Sequence, residues 1–231
     1  ARIVADFDML ESDARNLKSA NEAYLRVGLS PASQEGLYNR AIANLLKANP
    51  EICVSVQGMP DERGVRLLKR GDLDLLFAPY DMLEHEKEFA TERISQIKVG
   101  PFCRKGHPIL SIKNPSADDM SAYKVIANIG IGYARKVAEV LIPRHVDQHR
   151  QMHIIDNFSI VAETVLATNA IGIISLDYAR SQTFKEQFTL LTPELVQPIE
   201  LGVARLSRWL PSPAVRACVE SVKHELHKAE V

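Results

Sequence analysis

Two hydroxyls, Ser30 and Ser33, flank Pro31 and Ala32 between a strand-like run, Tyr24-Leu25-Arg26-Val27-Gly28-Leu29, and a helical stripe. Free N–H groups and the positive dipole end make a helix N-terminus suited to carboxylates and sulfates. A hydroxyl there either caps the helix or touches a bound molecule, and capping needs only one of the two. Met59, Pro60 and Asp61 form a second strand-to-helix turn. Asp61 reads as an ordinary cap; facing a ligand instead, it would repel an anion and favour an amine or hydroxyl. A third strand ends at Ala78, Pro79 and Tyr80, where Tyr80 either stacks on a ligand or plugs a joint between subdomains. Ile129-Gly130-Ile131-Gly132 ends a later strand, and its glycines either admit a ligand to the backbone or make a turn. Asn157, Phe158 and Ser159 open a helix with Ser159 as its cap, and Ser175 ends a strand at the rim.

Other reactive residues have plainer readings. His107 lies in a His-Pro turn with no carboxylate at a telling spacing, so it is read as structural. His145, His149 and His153 are four residues apart, which on a helix would align them for a metal. Pro143 precedes them and acids are sparse, so the stretch is read as solvated and no metal is assigned. Cys53, Cys103 and Cys218 are an odd, widely spaced set, neither a disulfide framework nor a zinc pattern. No dinucleotide fingerprint, nucleophile–base pair or paired carboxylates are present. No catalytic residue or cofactor is therefore assigned, and the chain is read as a binding domain, not an enzyme.

Bulk properties narrow the class further. Of 231 residues, 46% are hydrophobic, enough for a full core. Lys and Arg total 28 against 29 acids, giving a net charge of −1, whereas a surface gripping nucleic acid would show a basic excess. No apolar run approaches the ~20 residues that cross a bilayer. The acidic start ARIVADFDML is unlike a secretory signal, so a cytoplasmic location with reduced thiols is expected.

The elements that position these residues follow from periodicity. Residues 1–22 carry a helical stripe, Ile3, Val4, Phe7, Leu10 and Leu17, and read either as a surface helix or as the end of a linker helix pairing with a partner chain. Strands are expected at 24–29, 52–56 and 73–78, with a helix through Leu37, Ala41, Ile42, Leu45 and Leu46 and another from Asp61 to Gly71. Further strands are expected near 98–103, 125–129, 170–175 and 201–204, with helices through Val137 and Leu141, over 159–169 and from Pro213 to about Lys228. Strands alternating with helices in this way make βαβ units and a mainly parallel sheet.

The run LRVGLSPASQEGLYNRAIANLLKANPEICVSVQGMPDERGVRLLKRGDLDLLFAPYD resembles the first half of a LysR-type effector domain. Cys103-Arg104-Lys105-Gly106-His107-Pro108 and Gly172-Ile173-Ile174 are similar to later family elements, in matching order over about residues 22–225. The resemblance implies an α/β fold of two Rossmann-like subdomains joined by two crossover strands, of periplasmic-binding-protein type II kind. It divides the chain into a linker-helix end (1–22), subdomain I (24–97 plus 203–231) and subdomain II (98–202). It implies a regulatory domain that binds a small-molecule effector in the inter-subdomain cleft to control DNA binding. It also implies a homodimer or homotetramer, contact with DNA only through a winged helix-turn-helix preceding residue 1, and no membrane partner. Asp61 departs from the small hydroxyl residue the family often has there, which counts against a simple carboxylate effector. A periplasmic solute-binding protein of a transporter is the alternative.

Overall fold

Short apolar runs alternating with amphipathic helices settle into two five-stranded sheets. The computed structural model describes residues 24–30, 37–127, 131–143, 147–155, 157–191 and 198–230. The expected linker-helix end, residues 1–22, lies outside them. In chain order the main elements are β1 (Tyr24–Leu29), α1 (Leu37–Ala48), β2 (Cys53–Gly58), α2 (Asp61–Arg70), β3 (Leu75–Pro79), β4 (Phe89–Ile97) and β5 (Val99–Arg104). Next come β6 (Val125–Ala127), α3 (Ile131–Leu141), β7 (Met152–Ile154), α4 (Phe158–Ala167), β8 (Ile171–Ser175), β9 (Phe188–Leu190), β10 (Ile199–Leu206) and α5 (Pro213–Glu230). They fall into two compact units, one running to Ser95 and resuming at Glu200, the other Gln96–Ile199.

In the first unit the strand order is β2-β1-β3-β10-β4. β1 is parallel to both β2 and β3, whereas β10 runs antiparallel to β3. β3 reads LLFAP and is buried along its whole length, as a strand covered on both faces must be. Helix α2 begins with Asp61 and Glu62, ends with Lys69 and Arg70, and stops at Gly71 in the left-handed conformation (φ 77°), where Cβ-bearing residues are penalised. Its Val65 and Leu68 enter a core with Met59, Leu73, Leu76, Ala78 and Leu83. Tyr38, Ala41 and Leu45 line the buried stripe of α1. Its polar flank locks onto α5: Ser221 Oγ donates to the Ala41 carbonyl at 2.7 Å, and Asn44 Nδ2 donates to Glu225 Oε1 at 2.9 Å.

The second unit orders its strands β7-β6-β8-β5-β9, with β6 parallel to β7 and β8, and β5 antiparallel to β8 and β9. Phe102 is fully buried against Gly172, where an added Cβ would stand 2.3 Å from its ring. Phe184 and Phe188 pack edge-on to the same ring at 5.4 and 5.1 Å. Buried His107 accepts from Ile109 N–H through Nδ1 at 3.0 Å, so Nε2 carries the proton and donates to the Asn169 carbonyl at 3.0 Å. That satisfied ring has the expected structural role.

One local expectation is corrected, and two further details add to the sequence reading. Asn157, not Ser159, caps α4, its side chain accepting from Ile160 N–H at 3.3 Å. His153 lies in β7, so it cannot share a helical face with His149. Strand β4 was not anticipated, because its edge position leaves much of FATERISQI in solvent and gives it no apolar run.

Candidate functional site

Parallel pairing brings the carboxyl ends of β1, β2 and β3 together. Leu29 lies opposite Gly58 and Phe77, Ser30 N–H donates to the Phe77 carbonyl at 2.9 Å, and Met59 N–H donates to the Leu29 carbonyl at 3.0 Å. In open α/β sheets this edge is where ligands bind. It places Ser30 beside Asp61, two polar side chains exposed by only 1% and 9%.

Asp61 is not the cap of α2. Pro60 holds that position and Asp61 is the first helical residue. The carboxyl group instead hydrogen-bonds the Ser30 hydroxyl. Its Oδ1 is buried and has no hydrogen-bond partner among the described residues. Burial first, then the charges of Glu62 and Asp81, push this carboxyl up from 3.8 to about 6, with the Ser30 bond acting the other way. Asp81, in the turn after β3, had no signal in the sequence, since an exposed acid in a turn is commonplace.

The other expected contacts are distributed differently. Met59 and Ala78 are core residues, and Pro79 is buried at the end of β3. The Tyr80 ring lies against Gly202, where a Cβ would stand 2.6 Å from it, and the Arg93 guanidinium sits 4.4 Å from its centroid. Arg93 also pairs with Glu200 at 3.2 Å and Glu84 at 3.6 Å. It went unnoticed because it lies on the unanticipated β4. Pro31, Ala32, Ser33, Ile129 and Gly130 are outside the described residues, and Ile131 opens α3.

In the second unit, Phe158 packs on Tyr178 at 5.1 Å, Ser159 is exposed in the first turn of α4, and Ser175 caps a helical turn by accepting from Tyr178 N–H at 3.3 Å. A pocket of about 340 Å³ lies in the first unit between α5 and strands β4 and β10, lined by Leu75, Val203, Val215 and Lys223 among others. It sits at the amino-terminal end of β3, away from Ser30 and Asp61. Among the described residues, no group of three His, Cys, Asp or Glu could hold a metal, and no helix is long and apolar enough to cross a membrane.

Two α/β units, each with parallel strands and an antiparallel return, connected by the chain near residues 96 and 199, define a periplasmic-binding-protein type II-like ligand-binding domain. The chain belongs to the LysR substrate binding domain family, whose model matches residues 19–227. This is the ligand-sensing part of a transcription regulator. The chain is similar in fold to reduced OxyR from N. meningitidis (TM-score 0.70, 16% identity, 88% of this chain and 96% of that one). It is likewise similar to the reduced OxyR regulatory domain from Pseudomonas aeruginosa (TM-score 0.69, 13% identity, covering 87% and 97%). A third similar structure is full-length CbnR complexed with its target DNA (TM-score 0.67, 14% identity, covering 97% and 80%). No curated protein sequence matches the chain.

Proposed function

We propose that this domain senses a small-molecule effector at the carboxyl ends of the first unit's parallel strands, with Ser30, Ser33 and Asp61 as primary contacts. The strand ends of the second unit, Ile129–Ile131 with Phe158 and Ser159, are candidate contacts of their own. In the full-length regulator, a homodimer or homotetramer, occupancy would alter how DNA-binding domains are presented. A ligand shifts such an equilibrium only by its difference in affinity for the two states. The observation that carries this reading is the Ser30–Asp61 pair, two buried polar side chains at the sheet edge where purely structural packing would favour apolar ones.

The test is thermal melting of the 231-residue chain against carboxylates, amino acids, amines, sugars and sulfate. An effector at ~100 times its dissociation constant stabilises by about 2.7 kcal/mol, or roughly 5–10 °C for a domain of this size. A saturable rise abolished by Ser30→Ala or Asp61→Asn is the expected result. A rise untouched by either substitution would place the effector elsewhere.

A further inference from the structure

Resting on that reading, we propose that the effector is a cation, presenting a protonated amine to Asp61 Oδ1. Asp61 sits on the first turn of α2, is 9% exposed, and its carboxyl hydrogen-bonds the Ser30 hydroxyl. Among the described residues, no group donates to its Oδ1. The N–H groups of its own helix do not supply the missing donor, since Arg63 and Gly64 N–H both turn to the Pro60 carbonyl at 3.0 Å. A buried carboxylate oxygen without a donor is costly, and folded proteins rarely leave one unless something else fills the position.

The surroundings decide the charge of that donor. Glu62 and Asp81 are the charges acting on Asp61, and both are acidic. A carboxylate or sulfate effector would meet repulsion from three acids. An alcohol would supply a hydrogen bond but leave the negative charge uncompensated. An ammonium or guanidinium supplies donor and charge together, and charge-assisted hydrogen bonds are about twice as strong as neutral ones. The anion-favouring helix N-terminus is thus already occupied by the protein's own carboxylate, and the ligand group it selects has the opposite sign.

The experiment compares matched probes: phenethylamine, 3-phenylpropanoate and 2-phenylethanol, then 1,4-diaminobutane against adipate, with agmatine as a guanidinium. Melting and calorimetric titration are run on the native chain, Asp61→Asn and Asp81→Asn. Asp61→Asn is nearly isosteric, and Asp81 is exposed, so at least one variant retains the fold. The expected result is binding of an amine or the guanidinium, weakened about tenfold or more in Asp61→Asn and a few-fold in Asp81→Asn. Carboxylates that bind where amines do not would overturn the cation and leave the effector site standing. An alcohol binding as well as its amine would overturn the charge argument, as would amine affinities unchanged in both variants. No binding by any of the three chemistries would remove both the cation and the effector reading at this edge.

Discussion

The Arg26 guanidinium grips the Asp74 carboxylate on two prongs, Nε to Oδ2 at 3.1 Å and Nη2 to Oδ1 at 2.7 Å. The backbones reinforce the grip: Arg26 N–H donates to Asp74 Oδ2 at 2.7 Å, and Asp74 N–H donates to the Arg26 carbonyl at 2.9 Å. This clasp stands one residue ahead of the β1–β3 pairing that begins with Val27 opposite Leu75. It ties together Leu25-Arg26-Val27-Gly28 and Gly71-Asp72-Leu73-Asp74, two stretches of the run that resembles the LysR family.

Asp74→Ala should therefore destabilise the first unit by about 2–3 kcal/mol, because it removes the bidentate acceptor of a guanidinium and the acceptor of a backbone N–H, both mostly shielded from water. Trp209, the only tryptophan, packs against this unit's core and reports its unfolding. The urea midpoint of Trp209 fluorescence should fall with an unchanged slope. An unchanged midpoint would reduce the clasp to a surface pair.

Asp61 makes the unliganded fold less stable as pH rises. Its carboxyl moves from 3.8 to about 6 on folding, so the native state favours the protonated form. The stabilisation is complete below pH 4 and lost as pH climbs through 6, a difference of roughly 3 kcal/mol at pH 8. Asp61→Asn should melt higher than the native chain at pH 8 and about equally at pH 4. Equal melting at both would show that Asp61 is as well solvated folded as unfolded.

Gly172→Ala tests the second unit. The new methyl would collide with Phe102, whose ring is boxed in by Phe184 and Phe188 and has nowhere to retreat. A loss of about 2–3 kcal/mol is expected, visible as a lower calorimetric melting temperature and a weakened near-ultraviolet aromatic signal. Gly64→Ala first meets the Leu76 side chain, its Cδ1 methyl nearest at 2.6 Å, and should cost less.

Two of the three thiols are shielded. Burial pushes the Cys103 thiol up to about 11 and the Cys218 thiol to about 12, which disfavours the reactive thiolate at both. Cys53 is exposed. Titration with a disulfide reagent at pH 7.5 should find one reactive thiol per folded chain and three after denaturation. Fast reaction of two or more in the native state would contradict the burial of Cys103 and Cys218.

Much of the architecture was legible because its signals are local. β1, α2 with its Gly71 stop, β8 and α5 appear where periodicity and caps placed them, since buried strands read as apolar runs and helices as stripes. β4 carried no such signal, and with it Arg93 and its stack on Tyr80 escaped notice. At the candidate site, Ser30 and Asp61 were identifiable from their strand-to-helix turns. Their mutual hydrogen bond was not, because it spans two separate βα turns and depends on the register of β1 against β2. Capping made Asp61 look satisfied, whereas Pro60 holds the cap position and the Asp61 carboxyl bonds Ser30.

β3 and its antiparallel neighbour β10 pair Pro79 with Leu201, across a separation of about 120 residues that contains the entire second unit. On the ribosome, at roughly 5–20 residues per second, β3 must wait some 6–24 seconds with one edge bare before β10 is made. Gln96–Ile199, by contrast, emerges as an uninterrupted stretch. The half of the molecule begun first is thus completed last, after its inserted companion has had time to fold. Nascent chains arrested past Ile199 should already shield the second unit from protease while the segment before Ser95 is still cut.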